Sequence, residues 1–306
     1  MLNQTNDNSN EILFPSVGLK LTGACRLRCP FCCEPDRGQE VHPIDNFIKI
    51  AQKLKQLGTQ RLCLTGGDPL LYPHITDLIK QTNSLGFFNL LLTSDGALLK
   101  EKHEEILPYL GAIRFSIHAI CDKHDQIVGE PGAFQAIDYM IDFLGAQNIP
   151  RYVTTVVSNL NVQYVHDIAK WCADKNIAQH FIFGLMKSGN GKGFIDEIGE
   201  VSKETLSKLV STLQATYSQS PMRIIYYDYS KKSECILVYG DGRIVIDPDP
   251  THPSFQSEIG NVLEDSVDKL SLNFKNDQES YNGYTAHLEM TPQSFPLPSS
   301  KLAESL

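Results

Sequence analysis

The sequence lacks several features that mark common classes of protein. It has no apolar run near the ~20 residues that a membrane-spanning helix needs, and no dense stripe of Lys and Arg. Acidic residues outnumber basic ones by 36 to 27, which leaves a net charge of −9. Nucleic-acid-binding domains carry a basic patch, and residues 1–10 lack the basic and apolar regions of a signal peptide. We therefore expect a cytoplasmic protein that binds neither nucleic acid nor membrane.

Cysteine is present but unevenly distributed. Four of the eight cysteines fall within nine residues: Cys25, Cys29, Cys32 and Cys33. Secreted domains usually spread their cysteines as a framework of disulfide pairs. Dense clustering in a chain without an export signal indicates metal or redox chemistry instead.

Strand-like and helix-like segments alternate over the first two thirds of the chain. Repeated β–α units of this length predict a parallel sheet with helical crossovers. Six such units predict an α/β fold, namely an open, partial (β/α)6 TIM-like barrel with a small C-terminal β appendage. The predicted strands are 16–22, 61–65, 89–93, 113–118, 152–157 and 181–185, and the predicted helices are 45–57, 74–85, 100–110, 134–144, 165–174 and 203–216.

The change in pattern after the last helix suggests how the chain is organised. Residues 222–227 are strand-like, and residues 235–247 are typical of a hairpin that turns at Gly240-Asp241-Gly242. We expect a flexible N-terminus over 1–13, a core barrel over 14–220, a β extension over 221–275 and a loose tail over 276–306.

The strongest chemical signal is the spacing C-x3-C-x2-C formed by Cys25, Cys29 and Cys32. Thiolates are the ligands that iron–sulfur clusters use, and three of them leave one iron of a four-iron cluster open. An open position is typical of a catalytic metal. A zinc site with Cys33 or His42 as fourth ligand is the alternative, but structural zinc sites usually show two separated ligand pairs.

This loop, which lies between a first strand and a helix, resembles the radical S-adenosylmethionine (SAM) superfamily. The aromatic residue before the third cysteine of that family is matched by Phe31. The resemblance implies one [4Fe–4S] cluster held by the three cysteines, with SAM bound at the open iron and Phe31 against its adenine. It also implies reductive cleavage of SAM to a 5′-deoxyadenosyl radical that abstracts hydrogen from a substrate. A flavodoxin or ferredoxin is the implied electron donor.

Further motifs of the family follow in the expected order. Gly66-Gly67-Asp68-Pro69 resembles the GGEP-type motif that holds the SAM ammonium group, with Asp in place of the commoner Glu. Two glycines also let a backbone approach a ligand closely. The resemblance further implies SAM contacts at Ser94, Ser116 and Val157, with Ser158 beside the last. The role of Asp95 stays open, and His118 is a candidate for substrate contact or acid–base chemistry, or a structural histidine.

The region after residue 115 is similar to the SPASM/Twitch and molybdopterin-cyclase-like branch of the family. Extensions of that branch carry several cysteines, whereas Cys235 is the last cysteine here. One thiolate does not hold a cluster of the usual four-cysteine type, so we expect no auxiliary cluster. The missing cysteines also argue against the molybdopterin-pathway cyclase itself. About 15 residues precede the first strand, so we expect no leader-binding domain there.

Three functions are compatible with these motifs. The first is an enzyme that acts on a small molecule in a biosynthetic pathway. The second is a modifier of a peptide or protein residue, related to the SPASM maturases. The third is a non-catalytic iron–sulfur sensor or scaffold, against which the intact SAM motifs argue.

Overall fold

The computed structural model describes residues 14–33, 41–93, 95–186, 189–227, 235–246 and 257–279. Ten strands within these ranges form one sheet, ordered β10-β9-β8-β1-β2-β3-β4-β5-β6-β7. The strands are β1 (Ser16–Thr22), β2 (Arg61–Gly66), β3 (Phe88–Thr93), β4 (Ala112–Ser116), β5 (Arg151–Val156), β6 (Gln179–Phe183), β7 (Arg223–Tyr227), β8 (Ile236–Tyr239), β9 (Arg243–Ile246) and β10 (Ser257–Asn261).

Helices connect the parallel strands and cover the outer face of the sheet. In the first helix the apolar residues Phe47, Ile50, Ala51 and Leu54 are buried, a spacing that places them on one helical face. The helices are α1 (Ile44–Gln56), α2 (Ile75–Ser84), α3 (Gly96–Ile106), α4 (Asp122–Val128), α5 (Ala133–Ala146), α6 (Val165–Asp174), α7 (Asn190–Ile198), α8 (Lys203–Thr216) and α9 (Val267–Glu279).

The parallel part of the sheet confirms the predicted partial barrel. β1 to β7 are parallel and neighbouring in chain order, and β7 and β10 are the two edges of the described sheet, so it is not closed. Six β–α units are followed by β7, which pairs in parallel with β6. The strand-like stretch 222–227 therefore extends the barrel sheet across the predicted boundary at residue 220. The division into domains stays a prediction.

The C-terminal hairpin joins the opposite edge of the barrel. β8 and β9 pair antiparallel, as the hairpin pattern predicts, and β10 pairs with β9. β8 runs parallel to β1, with Gly18 opposite Leu237, so it continues the barrel sheet rather than forming a separate layer. A Cβ at Gly18 would lie 3.0 Å from the Leu237 side chain, so a glycine suits this close strand pairing.

Two apolar clusters fill the two faces of the parallel sheet. The larger one lies between the strands and the helices and includes Leu19, Leu64 and Phe115. The smaller one contains side chains from each of the strands β2 to β7. Its members include Leu90, Ala112, Tyr152 and Phe181, with Cys63 and Tyr227 beside them. Because these residues share the face opposite the helices, we call their surroundings the lumen of the barrel. None of the helices described is long and apolar enough to cross a membrane.

His180 is buried between the sheet and the helices, and its environment leads to a prediction of how the free energy of unfolding depends on pH. The Thr155 hydroxyl donates to the carbonyl of Ile117 at 2.8 Å, so it accepts from Nε2 of His180, also at 2.8 Å. Nδ1 of His180 is then the unprotonated nitrogen, and it is buried without a hydrogen-bond partner in the described part of the chain. Burial lowers the pKa of His180 to about 4.

His180→Gln is therefore expected to make the free energy of unfolding fall less steeply as the pH is lowered. The unfolded chain protonates this histidine below about pH 6.5 and the folded chain only near pH 4, so acid favours unfolding within that window. Wild type should lose roughly 1 kcal/mol more per pH unit than the variant, as measured by urea unfolding between about pH 7 and about pH 5. His166→Gln, at an exposed site of α6, is the control and should follow wild type.

Candidate active site at the carboxyl ends of the parallel strands

The cysteine loop leaves the carboxyl end of β1 and presents three half-buried thiols, Cys25, Cys29 and Cys32. Cys25 and Cys29 pack against a small apolar cluster that includes Val128. The backbone amide of Arg28 donates to the carbonyl of Val128 at 2.7 Å, which ties the loop to the end of α4. The loop is thus held by backbone bonds while its thiols stay accessible, as ligands of a cluster must be.

The donor set fits a cluster, although no compact single-ion site is present. Among the residues the structure describes, no three His, Cys, Asp or Glu side chains form a group that holds one metal ion. A [4Fe–4S] cluster is ligated at separate corners, so its thiolates need not converge as those around one ion must. The assignment of Cys25, Cys29 and Cys32 as its ligands stays a prediction.

The Gly-Gly-Asp segment is joined to the cysteine loop by its backbone. The amide of Gly67 donates to the carbonyl of Thr22, and the amide of Asp68 donates to that of Ala24, each at 2.7 Å. A Cβ at Gly66 would lie 2.2 Å from the Thr22 oxygen, and one at Gly67 would lie 2.3 Å from the Ala24 oxygen. Both glycines are therefore required by the close approach of the protein's own backbone, and their contact with SAM stays a prediction.

Asp68 is a buried link between two strand ends. One carboxylate oxygen accepts from the amide of Leu70 at 3.0 Å and starts the turn after the motif. The other accepts from the hydroxyl of Thr93, at the end of β3, at 2.8 Å. The two bonds fix the carboxylate between the ends of β2 and β3, and its contact with the SAM ammonium group stays a prediction.

Asp95, whose role the sequence left open, caps α3 and anchors the cysteine loop. One of its oxygens accepts from the amide of Leu98 at 2.8 Å, and the other pairs with Nε of Arg26 at 2.6 Å. This hydrogen bond raises the pKa of the Arg26 guanidinium. Because Arg26 directly follows Cys25, the pair fixes the first cysteine relative to the end of β3.

Phe31 lies under α7 instead of facing open solvent. Its side chain is only 4% exposed, and it packs in a cluster with Leu185, Phe194 and Ile195. The Phe31 and Phe194 rings meet edge to face at 5.9 Å. The amide of Gly191 also donates to the carbonyl of Cys32 at 3.3 Å. α7, a helix that the sequence did not predict, therefore covers the position expected to contact adenine.

His118 is buried behind Phe31, with ring centroids 4.8 Å apart. Its backbone amide donates to Nδ1 of His124 at 3.1 Å, and its own Nδ1 is buried without a partner in the described ranges. Burial, aided by the neighbouring His124, lowers the pKa of His118 to about 3. The ring is thus neutral at physiological pH, which suits a packing or hydrogen-bonding role better than that of a proton donor.

The remaining predicted SAM contacts lie on neighbouring strand ends. Ser116 is half-buried at the end of β4, and Val157 is buried directly after β5. Ser158 donates its hydroxyl to Asn161, whose side-chain amide donates to the carbonyl of His118 at 3.0 Å. Asn161, which carried no motif signal, therefore joins the ends of β4 and β5. Ser94 lies outside the described residues.

Comparison with known families and proteins agrees with this geometry. The model of the Radical SAM superfamily matches residues 19–172, which is half of the chain. The sporulation killing factor maturation protein SkfB of Bacillus subtilis (strain 168) is 31% identical over 177 residues, covering 56% of this chain and 42% of SkfB. GTP 3′,8-cyclase of Clostridium perfringens (strain 13 / Type A) is 27% identical over 184 residues, covering 58% of this chain and 57% of that enzyme. The chain thus spans about half the length of these relatives.

Solved structures share the fold at low sequence identity. Streptococcus suis SuiB bound to SAM aligns with a TM-score of 0.67 and 15% identity, covering 83% of this chain and 64% of SuiB. The enzyme anSMEcpe with bound SAM and the Cp18Cys peptide aligns with a TM-score of 0.59 and 12% identity, covering 83% and 79% of the two chains. This chain is therefore an enzyme of the radical SAM superfamily, with a [4Fe–4S] cluster and S-adenosylmethionine as its cofactors.

Proposed function

We propose that this enzyme reductively cleaves SAM and abstracts a hydrogen atom from an organic substrate in the barrel lumen. The observation that carries the proposal is the pair of 2.7 Å backbone bonds from Gly67 and Asp68 to the start of the cysteine loop. These bonds hold the cysteine loop and the Gly-Gly-Asp segment together at the carboxyl ends of β1 and β2. The carboxyl ends of parallel barrel strands are where such enzymes assemble their active sites.

Each predicted residue has a distinct task in this proposal. Cys25, Cys29 and Cys32 would ligate three irons and leave the fourth to the amino and carboxylate groups of SAM. When bound, the cluster supplies the low-potential electron that cleaves SAM. Asp68 would accept the SAM ammonium group, and the cover of α7 over Phe31 would exclude water from a reactive radical.

We consider two classes of substrate for the lumen. A small molecule in a biosynthetic pathway is our first proposal, because the lumen is lined by side chains of six neighbouring strands and α7 lies beside its mouth. A peptide is the second candidate. It is supported by the similarity to SkfB, which is a sporulation killing factor maturation protein. It is also supported by the fold shared with SuiB, whose structure with the precursor peptide SuiA aligns at a TM-score of 0.68.

Formation of 5′-deoxyadenosine tests the core of the proposal. The protein is reconstituted anaerobically with iron and sulfide, and SAM and dithionite are then added. The expected result is a [4Fe–4S] signal together with 5′-deoxyadenosine. A cluster without any cleavage product would favour the sensor or scaffold hypothesis instead.

We further propose that the electron donor is a flavodoxin or ferredoxin that docks outside the cysteine loop. An open groove of about 450 Å³ lies there, lined by residues of the loop, of α4 and of the segment after β5. Two of its lining residues are charged, Arg28 and Lys123, and both are cations. Flavodoxins and ferredoxins are acidic, so the charges are complementary. Arg28 lies between two of the predicted ligands, so a donor in this groove is close to the cluster.

Lys123→Glu is expected to separate the two routes of electron supply. Formation of 5′-deoxyadenosine driven by reduced flavodoxin should fall about tenfold at low ionic strength, because reversing a charge weakens electrostatic steering. The rate with dithionite, a small reductant, should stay at the wild-type value. Lys208→Glu, at an exposed site of α8, makes the same change in net charge and should leave both rates intact. An equal loss with both reductants would exclude the groove as a docking site.

A further inference from the structure

The charges on the parallel strands are opposite in sign to the charge of the whole chain. The sequence has a net charge of −9, yet the described strands β1 to β7 contain no Asp or Glu. They carry five basic residues: Lys20, Arg61, Arg114, Arg151 and Arg223. Acidic residues are thus absent from the described strands β1 to β7, and the question is what the basic residues on their lumen face bind.

Arg114 lies inside the lumen, two residues before Ser116 on the same face of β4. Its guanidinium carbon lies 4.9 Å from the ring centroid of Phe181 on β6. Burial raises the pKa values of Cys63 on β2 and Tyr227 on β7, and the Arg114 charge opposes that rise, so both side chains lie near the guanidinium. Contacts to strands on both sides place the guanidinium in the middle of the lumen. On β4 it lies two residues nearer the amino-terminal end of the strand than Ser116, which is predicted to contact SAM.

Arg114 has no ion pair with any residue that the structure describes. Its Nε is buried and has no hydrogen-bond partner. The hydroxyl of Thr154, the residue beside Ser116 in the β4–β5 register, is likewise buried and unpartnered. Two polar groups on adjacent strands therefore lack partners at neighbouring positions of one face. Buried polar groups are rarely left in this state unless a ligand or water completes them.

The neighbouring side chains do not neutralise the guanidinium. Burial raises the pKa of Tyr227 to about 12, and burial also raises the pKa of the Cys63 thiol, so both are neutral near pH 7. The ring of Phe181 offers a cation–π contact but no negative charge. Arg61 on β2, over the ring of Phe88, and Lys20 on β1, over the ring of Tyr239, add further cations to the lumen face.

We propose that Arg114, with Thr154 beside it, binds an anionic group of the substrate inside the lumen, either a carboxylate or a phosphate. The guanidinium fork matches the paired oxygens of both groups, and the Thr154 hydroxyl donates a further hydrogen bond. The anion would hold the substrate one pleat below SAM, with the atom to be attacked directed toward the strand ends. This inference rests on the proposed function, because it assumes that the substrate occupies the lumen.

Binding of simple anions to the loaded enzyme tests the proposal without any turnover. The reconstituted enzyme with SAM, and without reductant, is titrated calorimetrically with inorganic phosphate and, separately, with acetate. Wild type should bind at least one of the two, and the tighter one identifies the chemical class. Arg114→Gln should weaken that binding about tenfold or more, whereas Arg114→Lys should retain part of it. Arg223→Gln, at an exposed strand site, should bind as wild type does.

The affinity for SAM and the thermal stability complete the test. The SAM affinity of Arg114→Gln should equal that of wild type. If it falls by the same factor as anion binding, Arg114 holds the SAM carboxylate and the proposal is wrong. Anion binding that is equal in wild type and Arg114→Gln, or absent from wild type, also overturns it. If wild type forms no 5′-deoxyadenosine when reductant is added, the proposed function fails, and the anion titration still decides the role of Arg114.

Discussion

Cys29→Ala is expected to abolish formation of 5′-deoxyadenosine and to prevent assembly of the [4Fe–4S] cluster. Cys29 is the middle cysteine of the predicted triad, and its side chain lies between the cluster of Leu27 and Val128 and that of Phe31. Losing it leaves two thiolates, which is one too few for a site-differentiated four-iron cluster. Iron and sulfide analysis after reconstitution, together with the electron paramagnetic resonance of the reduced protein, measures the loss directly.

Cys33→Ala is the matched control for this experiment. Cys33 follows the third predicted ligand in the chain and is exposed. Its replacement should leave the iron content and the yield of 5′-deoxyadenosine at the wild-type level. If Cys33→Ala loses the cluster and Cys29→Ala keeps it, the predicted ligand set is wrong. Zinc in place of iron in the purified protein would contradict the assignment altogether.

The barrel could be predicted from the sequence because its signals are local. Apolar periodicity gave each of the six predicted strands and helices within a few residues, and β1 agrees at both ends. The cysteine spacing and the Gly-Gly-Asp segment identified the cofactors, as the family match confirms. Short motifs of this kind consist of residues that are close together in the sequence, so they can be recognised in a single sequence.

Contacts between distant segments could not be predicted in the same way. The hairpin was expected, but nothing in residues 236–246 indicates that β8 pairs in parallel with β1. α7 was missed because Gly191 and Gly193 weaken its helical pattern, although it covers Phe31. The pair Arg26–Asp95 joins residues 69 positions apart, so no spacing rule could find it. The lumen site was missed because a lone arginine in a strand carries no motif.

Gly67→Ala is expected to destabilise the fold strongly, because the new Cβ would overlap backbone that cannot move aside. It would lie 2.3 Å from the carbonyl oxygen of Ala24 and 2.4 Å from that of Gly23. Relief of this overlap requires the Gly-Gly-Asp segment to separate from the cysteine loop. That separation breaks the bonds from Gly67 to Thr22 and from Asp68 to Ala24. Overpacking and two lost hydrogen bonds together cost about 3 kcal/mol.

Urea unfolding of the reconstituted enzyme measures this change, with Gly193→Ala as the control. Gly193 lies within α7, and a Cβ there would meet no atom within 4 Å. Alanine at that position should be neutral or stabilise the protein by up to about 1 kcal/mol, because glycine is a poor helix former. A Gly67→Ala variant as stable as wild type would contradict the close backbone approach. A variant that is destabilised but keeps its affinity for SAM would mean that Gly67 acts through folding alone. A loss of SAM affinity beyond the loss of folded protein would support its predicted contact with the cofactor.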